Sequence, residues 1–126
     1  MVAVDTNVLV RLVLRDDLSQ TQAAQRFIAN GCWASILAIA ETVWVLQSYY
    51  GFTWQQIVTA LDMLVNNQQL VIENSEAVSD ALELLRSKPT LGFVDCLMIE
   101  LARKAGHLPF GTFDRALAKV HGATRL

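Results

Sequence analysis

The fold is decided by the first fourteen residues of the chain, Met1-Val-Ala-Val-Asp5-Thr-Asn-Val-Leu-Val10-Arg-Leu-Val-Leu14. Residues 2–4 are wholly apolar, the pattern of a central parallel strand that is covered on both faces. Asp5 follows this strand, and Thr6 and Asn7 can cap the amphipathic helix that comes next. A carboxylate is therefore predicted at the carboxyl end of a strand, where open α/β sheets bind ligands. Asp5 could equally be only a turn or cap residue.

The size and composition of the chain indicate one domain that contacts a partner. The chain has 126 residues, and we expect residues 1–126 to form a single domain with a buried core. A hydrophobic content of 53% and a mean hydropathy of +0.34 suggest that some apolar surface is buried against another protein. The net charge of −2 argues against a strongly basic nucleic-acid-binding protein.

Several features predict a cytoplasmic protein. Cys32 and Cys96 are too few for a disulfide framework or a zinc site, so we expect buried thiols in a reducing compartment. The N-terminus lacks the pattern of a signal peptide. Polar residues interrupt the most apolar stretch before it reaches the roughly 18 residues that a membrane span needs. We therefore expect no membrane association.

Signals for strands and helices alternate along the chain. Strands are predicted at 2–4, 32–34, 70–72 and 108–113, with a short edge strand at 123–126. Helices are predicted after Asp5 and at 18–29, 35–50, 54–66, from 75 onward, 93–105 and 114–119. This order predicts an α/β fold: a three-layer α/β/α sandwich with a short central parallel sheet of four or five strands and right-handed crossovers.

Glu41 is the most unusual acid in the chain. It lies in a predicted helix whose other positions from 36 to 46 are almost all apolar. A buried, ionised carboxylate is unfavourable unless it is paired or coordinated. The nearest cations in sequence, Arg26 and Arg86, are too distant for a local helix pair. We therefore expect Glu41 to face a cleft.

Two further acids follow loops or strands. Asp95 is predicted in the first turn of a helix, where the helix dipole alone would favour an acid. Asp114 follows a predicted strand and precedes a helix, which repeats the arrangement of Asp5, and the hydroxyl of Thr112 can lie nearby. Two strand ends and two helices can thus bring four carboxylates to one edge of the sheet.

Four neighbouring carboxylates require a cation, because their mutual repulsion opposes ionisation. Oxygen ligands without His or Cys favour Mg²⁺ or Mn²⁺ over Zn²⁺. Such ions bind phosphates, activate water and stabilise a leaving oxygen. The residues alone therefore predict metal-dependent hydrolysis of a phosphodiester or a phosphomonoester.

The chain resembles the PIN-domain ribonucleases, in particular the VapC-type toxins of bacterial toxin–antitoxin pairs. The resemblance covers nearly the whole chain, and four motifs in order carry it. These are Val4-Asp-Thr-Asn-Val-Leu-Val-Arg11, Ala40-Glu-Thr-Val-Trp-Val-Leu46, Phe93-Val-Asp-Cys-Leu-Met-Ile99 and Gly111-Thr-Phe-Asp-Arg-Ala-Leu117. Each motif is weak alone, but the order and spacing of all four are specific. The chain departs from the family at Cys96, where a small Ala is more usual.

The resemblance implies a Mg²⁺- or Mn²⁺-dependent endoribonuclease that is the toxin of a type II toxin–antitoxin system. The catalytic acids would be Asp5, Glu41, Asp95 and Asp114. Asp5, Asp95 and Asp114 would bind the metal, and Glu41 would act through water. Thr6, Asn7 and Thr112 match positions that support the site in the family. The reaction would be an in-line attack of water on an RNA phosphodiester.

The resemblance also implies three partners: substrate RNA, a cognate antitoxin and a second copy in a homodimer.

With the four site acids neutralised, ten bases and eight acids remain, a net charge of +2. Arg11 and Arg115, each close in sequence to a site acid, are candidates for phosphate contacts. Trp44, Tyr49, Tyr50, Phe52 and Trp54 exceed what one helix face can bury, so some are expected at a protein interface.

Two alternatives remain at this stage. One is a PIN-like module that binds RNA or protein without cleavage, which retention of all four acids disfavours. The other is a metal-dependent phosphatase of the haloacid dehalogenase type. That chemistry requires a second Asp two residues after the first, and position 7 is Asn.

Overall fold

Six α-helices and five β-strands make up the structure, a computed structural model that describes all residues from Met1 to Leu126. Their order is β1 (Val2–Ala3), α1 (Thr6–Leu14), α2 (Leu18–Ile28), β2 (Cys32–Ala34), α3 (Ile36–Tyr50), α4 (Trp54–Val65), β3 (Leu70–Ile72), α5 (Ser75–Ser87), α6 (Phe93–Ala105), β4 (Phe110–Thr112) and β5 (Ala123–Arg125). Two 3-10 helices lie at Pro89–Leu91 and Leu117–Lys119. The chain divides into two compact units, a first unit of Met1–Ser75 and a second unit of Glu76–Leu126.

The ends of α3 and α4 follow from local capping. The hydroxyl of Ser35 accepts a hydrogen bond from the amide of Ala38 (3.0 Å), which satisfies one free donor at the start of α3. Gly51 ends α3 in the left-handed region at φ 65°, which costs glycine little. Thr53 and Gln56 form a reciprocal capping box at the start of α4. These boundaries confirm the predicted ones to within a residue.

The sheet of the first unit has the strand order β1-β2-β3, and all pairs are parallel. β2 is the central strand, with Cys32 and Ala34 buried. β1 pairs only with β2 and lies at the edge, so Val2 is exposed. The prediction that residues 2–4 form a central strand covered on both faces is therefore wrong.

The second unit has a separate parallel pair, β4 and β5, in which Phe110 is opposite Ala123. The α/β class with parallel strands is confirmed, and all five predicted strands are present. They form a three-stranded and a two-stranded sheet rather than one central sheet. With two or three residues each, the strands provide few ladder hydrogen bonds. The helix predicted at 114–119 is only the 3-10 helix Leu117–Lys119.

Helix packing forms the core of each unit. In the first unit α1 packs against α2, α3 and α4, and the fully buried side chains include Leu9, Ile39 and Leu61. In the second unit Phe93 and Ile99 of α6 are almost completely buried. Burial of each such side chain contributes on the order of 1.5–3 kcal/mol. None of the helices has the length and apolar character required to traverse a lipid bilayer.

Candidate active site

Asp5 is the N-cap of α1. Its backbone is extended, and its Oδ1 accepts a hydrogen bond from the amide of Val8 (3.2 Å). The predicted cap at Thr6 and Asn7 is therefore wrong, because the acid itself occupies the capping position and Thr6 is already helical. The side chain of Asp5 is exposed, and its second oxygen, Oδ2, has no hydrogen-bond partner within the protein. Asp5 is therefore a helix cap whose second carboxylate oxygen is accessible.

Asp114 repeats the arrangement of Asp5, as the sequence predicts. Its Oδ1 accepts a hydrogen bond from the amide of Leu117 (2.9 Å), three residues later in the chain. Thr112 supports this conformation, because its hydroxyl accepts a hydrogen bond from the amide of Asp114 (3.0 Å). Both acids thus keep one oxygen for local structure and leave the other free.

Asp95 lies in the first turn of α6, after Gly92, which provides no side-chain cap. Its side chain is half-buried and makes no hydrogen bond within the protein. Burial raises the pKa of the Asp95 carboxyl, and the negative charge of Asp114 raises it further. The structure therefore brings Asp95 and Asp114 close enough for each charge to act on the other.

Glu41 is exposed, which corrects the expectation that its helix surrounds it with apolar side chains. α3 buries the face that carries Ile39, Val43 and Leu46. Glu41 lies on the other face, beside Leu37 and Trp44, which are 72% and 56% exposed. Both faces of α3 are apolar, so composition alone suggested burial. The carboxylate of Glu41 has no partner within the protein.

The four acids are shared equally between the two units. Asp5 caps α1 and Glu41 lies in α3, and these two helices pack against each other in the first unit. Asp95 and Asp114 are neighbours in the second unit. Within each unit, no group of three or more His, Cys, Asp or Glu side chains is close enough to hold a metal ion. Each unit thus contains two of the four acids.

The neighbouring acids Asp95 and Asp114 fit a hard divalent cation. A half-buried carboxylate with a raised pKa and a second carboxylate nearby is a site where a cation relieves repulsion. The accessible donors are all carboxylate oxygens, the ligands preferred by Mg²⁺ and Mn²⁺. The free oxygen of Asp5 has the same character.

The two candidate phosphate contacts differ in their surroundings. The Arg11 guanidinium donates to Asp16 Oδ1 (2.6 Å) and to the hydroxyl of Tyr50 (3.0 Å), so its charge is already compensated. Arg11 and Asn7 also line a cavity of about 780 Å³ between α1 and α2. Arg115 is exposed and has no acidic partner.

Two contacts that sequence reasoning missed hold α3 in place. Glu73 follows β3, and its Oε1 accepts a hydrogen bond from the amide of Ile36 (2.9 Å) at the start of α3. Tyr50 at the end of α3 binds Arg11 of α1. The partners are 37 and 39 residues apart, so no local pattern reveals them.

Comparison with known proteins identifies the family. The sequence model of the PIN domain matches residues 2–123. Among solved structures, the chain is similar to Mycobacterium tuberculosis VapC20, a toxin that cleaves the sarcin-ricin loop, with 20% sequence identity, coverage of 90% of this chain and 88% of that chain, and a TM-score of 0.43. No curated protein sequence matches the chain. Because the PIN model spans nearly all of the sequence, the chain belongs to the PIN domain family.

Proposed function

We propose that the protein is a Mg²⁺- or Mn²⁺-dependent endoribonuclease whose residues 1–126 form a single PIN domain. The observation that carries this proposal is the half-buried Asp95, whose pKa is raised by burial and by Asp114. Ionisation of a half-buried carboxylate beside a second negative charge is unfavourable, and a bound cation would offset that cost. Membership of the PIN family, a family of nucleases, supports the same chemistry.

The proposed roles follow from the contacts of each acid. Asp5, Asp95 and Asp114 would hold the cation, because each has a carboxylate oxygen without a partner in the protein. When bound, the cation would neutralise these carboxylates, activate water and stabilise the leaving oxygen of the phosphodiester. Glu41, exposed and unpaired, would orient the attacking water and accept its proton.

The supporting residues act on the shape of the site. Thr112 fixes the backbone at Asp114 through its hydroxyl. Thr6 and Asn7 begin α1 directly after Asp5, so they fix the direction in which that carboxylate leaves the strand. Arg115 is proposed to contact an RNA phosphate, since its charge is exposed and uncompensated. Arg11 would contact RNA only if it exchanged Asp16 for a phosphate.

We further propose that the protein is the cytoplasmic, VapC-type toxin of a type II toxin–antitoxin pair and that it forms a homodimer. Exposed aromatic residues support a protein interface. Trp44 and Tyr49 are 56% and 72% exposed, and their rings form an edge-to-face pair with centroids 5.7 Å apart. Large exposed aromatics are enriched at protein interfaces, which fits a second copy or an antitoxin.

A cleavage assay tests the catalytic proposal. Purified protein is incubated with RNA in Mg²⁺, in Mn²⁺ or in EDTA, beside Asp5→Asn. We expect cleavage only with a divalent cation and a loss of at least about a hundredfold in Asp5→Asn, since charge neutralisation at a metal site removes several kcal/mol. Equal cleavage by both proteins would refute the site.

A second observation tests the biological role. A small reading frame that encodes a DNA-binding protein next to this gene would identify the antitoxin. Its co-expression should suppress RNA cleavage by the unmodified protein. Cleavage that continues in a stable complex of the two proteins would contradict inhibition.

A further inference from the structure

The cations of the second unit fall into two groups. Those of α5 and α6 are paired with acids on the same two helices. The pairs are Arg86 with Glu83, Arg103 with Glu100 (3.4 Å), and Lys104 with Glu76. These side chains therefore contribute no net positive charge to the surface. The compensated cations are structural.

The second group lacks acidic partners, and three of its four members follow Asp114 in sequence. Lys88 precedes the 3-10 helix Pro89–Leu91, and the other three cations follow Asp114 in sequence: Arg115, Lys119 and Arg125. All four are exposed and form no ion pair. After Asp114 the chain contains three cations and no acid. Uncompensated positive charge is thus concentrated in the part of the second unit that carries a site acid.

Lys88 and Lys119 line one cavity of about 400 Å³, here called the lysine pocket. Its remaining lining consists of Ser87, Pro89, Thr90, Leu91 and Ala116. The cavity has room for a phosphate group, and its lining residues include two lysines and Thr90. It contains no carboxylate, so nothing in its lining neutralises the lysines.

The pocket also lies at the C-terminal end of α5, where the helix dipole disfavours anions. One of the carbonyls at this helix end is already satisfied: the oxygen of Leu84 accepts hydrogen bonds from the amide of Lys88 (2.9 Å) and from the hydroxyl of Ser87 (3.0 Å). Two full positive charges exceed the half charge of a helix end. The balance at the pocket therefore favours an anion.

We propose that the lysine pocket binds a backbone phosphate of single-stranded RNA that lies beside the bond to be cleaved. This inference rests on the proposed function. Lys119 is five residues after Asp114, and Lys88 leads through one 3-10 helix to the start of α6, which carries Asp95. Phosphate contacts of this kind fix the position of a strand without reading its bases. RNA fits better than a small phosphorylated molecule, because two further exposed cations, Arg115 and Arg125, lie in the same C-terminal segment as Lys119.

The test is RNA affinity as a function of salt. Lys88→Gln, Lys119→Gln and the double variant are made in an Asp5→Asn background, so that the RNA remains intact. Binding of a short fluorescent single-stranded RNA is followed by anisotropy from about 50 to about 200 mM salt. Arg26→Gln is the matched control, since Arg26 is an exposed cation of α2 in the first unit that forms no ion pair.

Each lysine that contacts a phosphate contributes about 0.7 to the slope of log affinity against log salt. The double variant should therefore lose about 1.4 of slope and about tenfold in affinity near physiological salt. Arg26→Gln should leave the slope unchanged. An unchanged slope in the double variant, or an equal loss in Arg26→Gln, would overturn the assignment.

Two further outcomes separate the pocket from the proposed catalytic function. If the unmodified protein cleaves RNA but the double variant binds with an unchanged slope, the pocket assignment fails and the nuclease proposal stands. If the unmodified protein cleaves no RNA but the slope still falls by the expected amount, the pocket stands and the nuclease proposal fails. Polyglutamate is added as a competitor that mimics an acidic protein. If it displaces RNA from the Asp5→Asn parent but not from the double variant, and nucleic acid competitors at the same concentrations displace no RNA, then RNA is overturned as the ligand and an acidic protein is indicated.

Discussion

Asp5 combines a structural and a chemical role that two substitutions can separate. Its Oδ1 caps α1 through the amide of Val8 (3.2 Å), while its negative charge is proposed to bind the cation. Asn is as good an N-cap as Asp but carries no charge. Ala removes both the cap and the charge. We therefore expect Asp5→Asn and Asp5→Ala to be equally inactive but unequal in stability.

The size of the stability difference follows from the single capping bond. Replacement of a capping Asp by Ala costs about 1 kcal/mol, within a range of roughly 0.5–2 kcal/mol. For a chain of this length, 1 kcal/mol corresponds to a Tm shift of about 3–5 °C. The side chain of Asp5 is exposed, so no cavity term is added. Asp5→Asn should remain within about 0.5 kcal/mol of the unmodified protein in the absence of metal.

The assay combines urea unfolding in EDTA with RNA cleavage in Mn²⁺. Asp5→Ala should unfold at lower urea than Asp5→Asn, and neither should cleave RNA. Ser35→Ala, which removes the equivalent cap of α3, provides a control that loses similar stability while keeping activity. The reasoning is refuted if Asp5→Asn retains cleavage, or if Asn and Ala destabilise the protein equally.

Three further predictions concern other parts of the molecule. Burial and Asp114 raise the pKa of the Asp95 carboxyl, so in EDTA the protonated form favours folding, and this stabilisation is lost as the pH rises through the raised pKa. In urea unfolding, the free energy of unfolding of the unmodified protein should therefore fall more between acidic and neutral pH than that of Asp95→Asn. Identical pH profiles for the two proteins would contradict a raised pKa at Asp95. Gly122→Ala should lower the free energy of unfolding by about 1–2 kcal/mol in the same assay, because φ is +93° and the new Cβ would lie 3.1 Å from Nη1 of Arg103; no loss would show that the turn adapts. Trp44→Ser should shift light scattering from dimer towards monomer if this exposed ring lies in the proposed interface, whereas an unchanged dimer would place the interface elsewhere.

Local features were predictable from the sequence because their causes are local. The caps at Ser35 and Thr53 each depend on residues three positions away, and Gly51 stops α3 by its own conformation. The repeated geometry of Asp5 and Asp114 was predictable for the same reason. In all these cases the hydrogen bond joins neighbours in sequence.

The exposure of Glu41 was not predictable from composition. Burial of a helix face depends on which elements pack against it, and α3 has apolar residues on both faces. The contacts of Arg11 with Tyr50 and of Glu73 with Ile36 span more than thirty residues and depend on tertiary packing. The division into two sheets likewise depends on which short strands pair, which alternation of elements does not determine.

The central proposal is that the neighbouring carboxylates of Asp95 and Asp114 bind a divalent cation. Mn²⁺ titration of isotope-labelled protein, followed by NMR, tests it directly, because the paramagnetic ion broadens the amide signals of nearby residues. The account predicts that the amides of Asp95 and Asp114 are among the first to broaden as Mn²⁺ is added and that they recover when EDTA is added. Amide signals of Asp95 and Asp114 that stay sharp at Mn²⁺ concentrations that support RNA cleavage would contradict it.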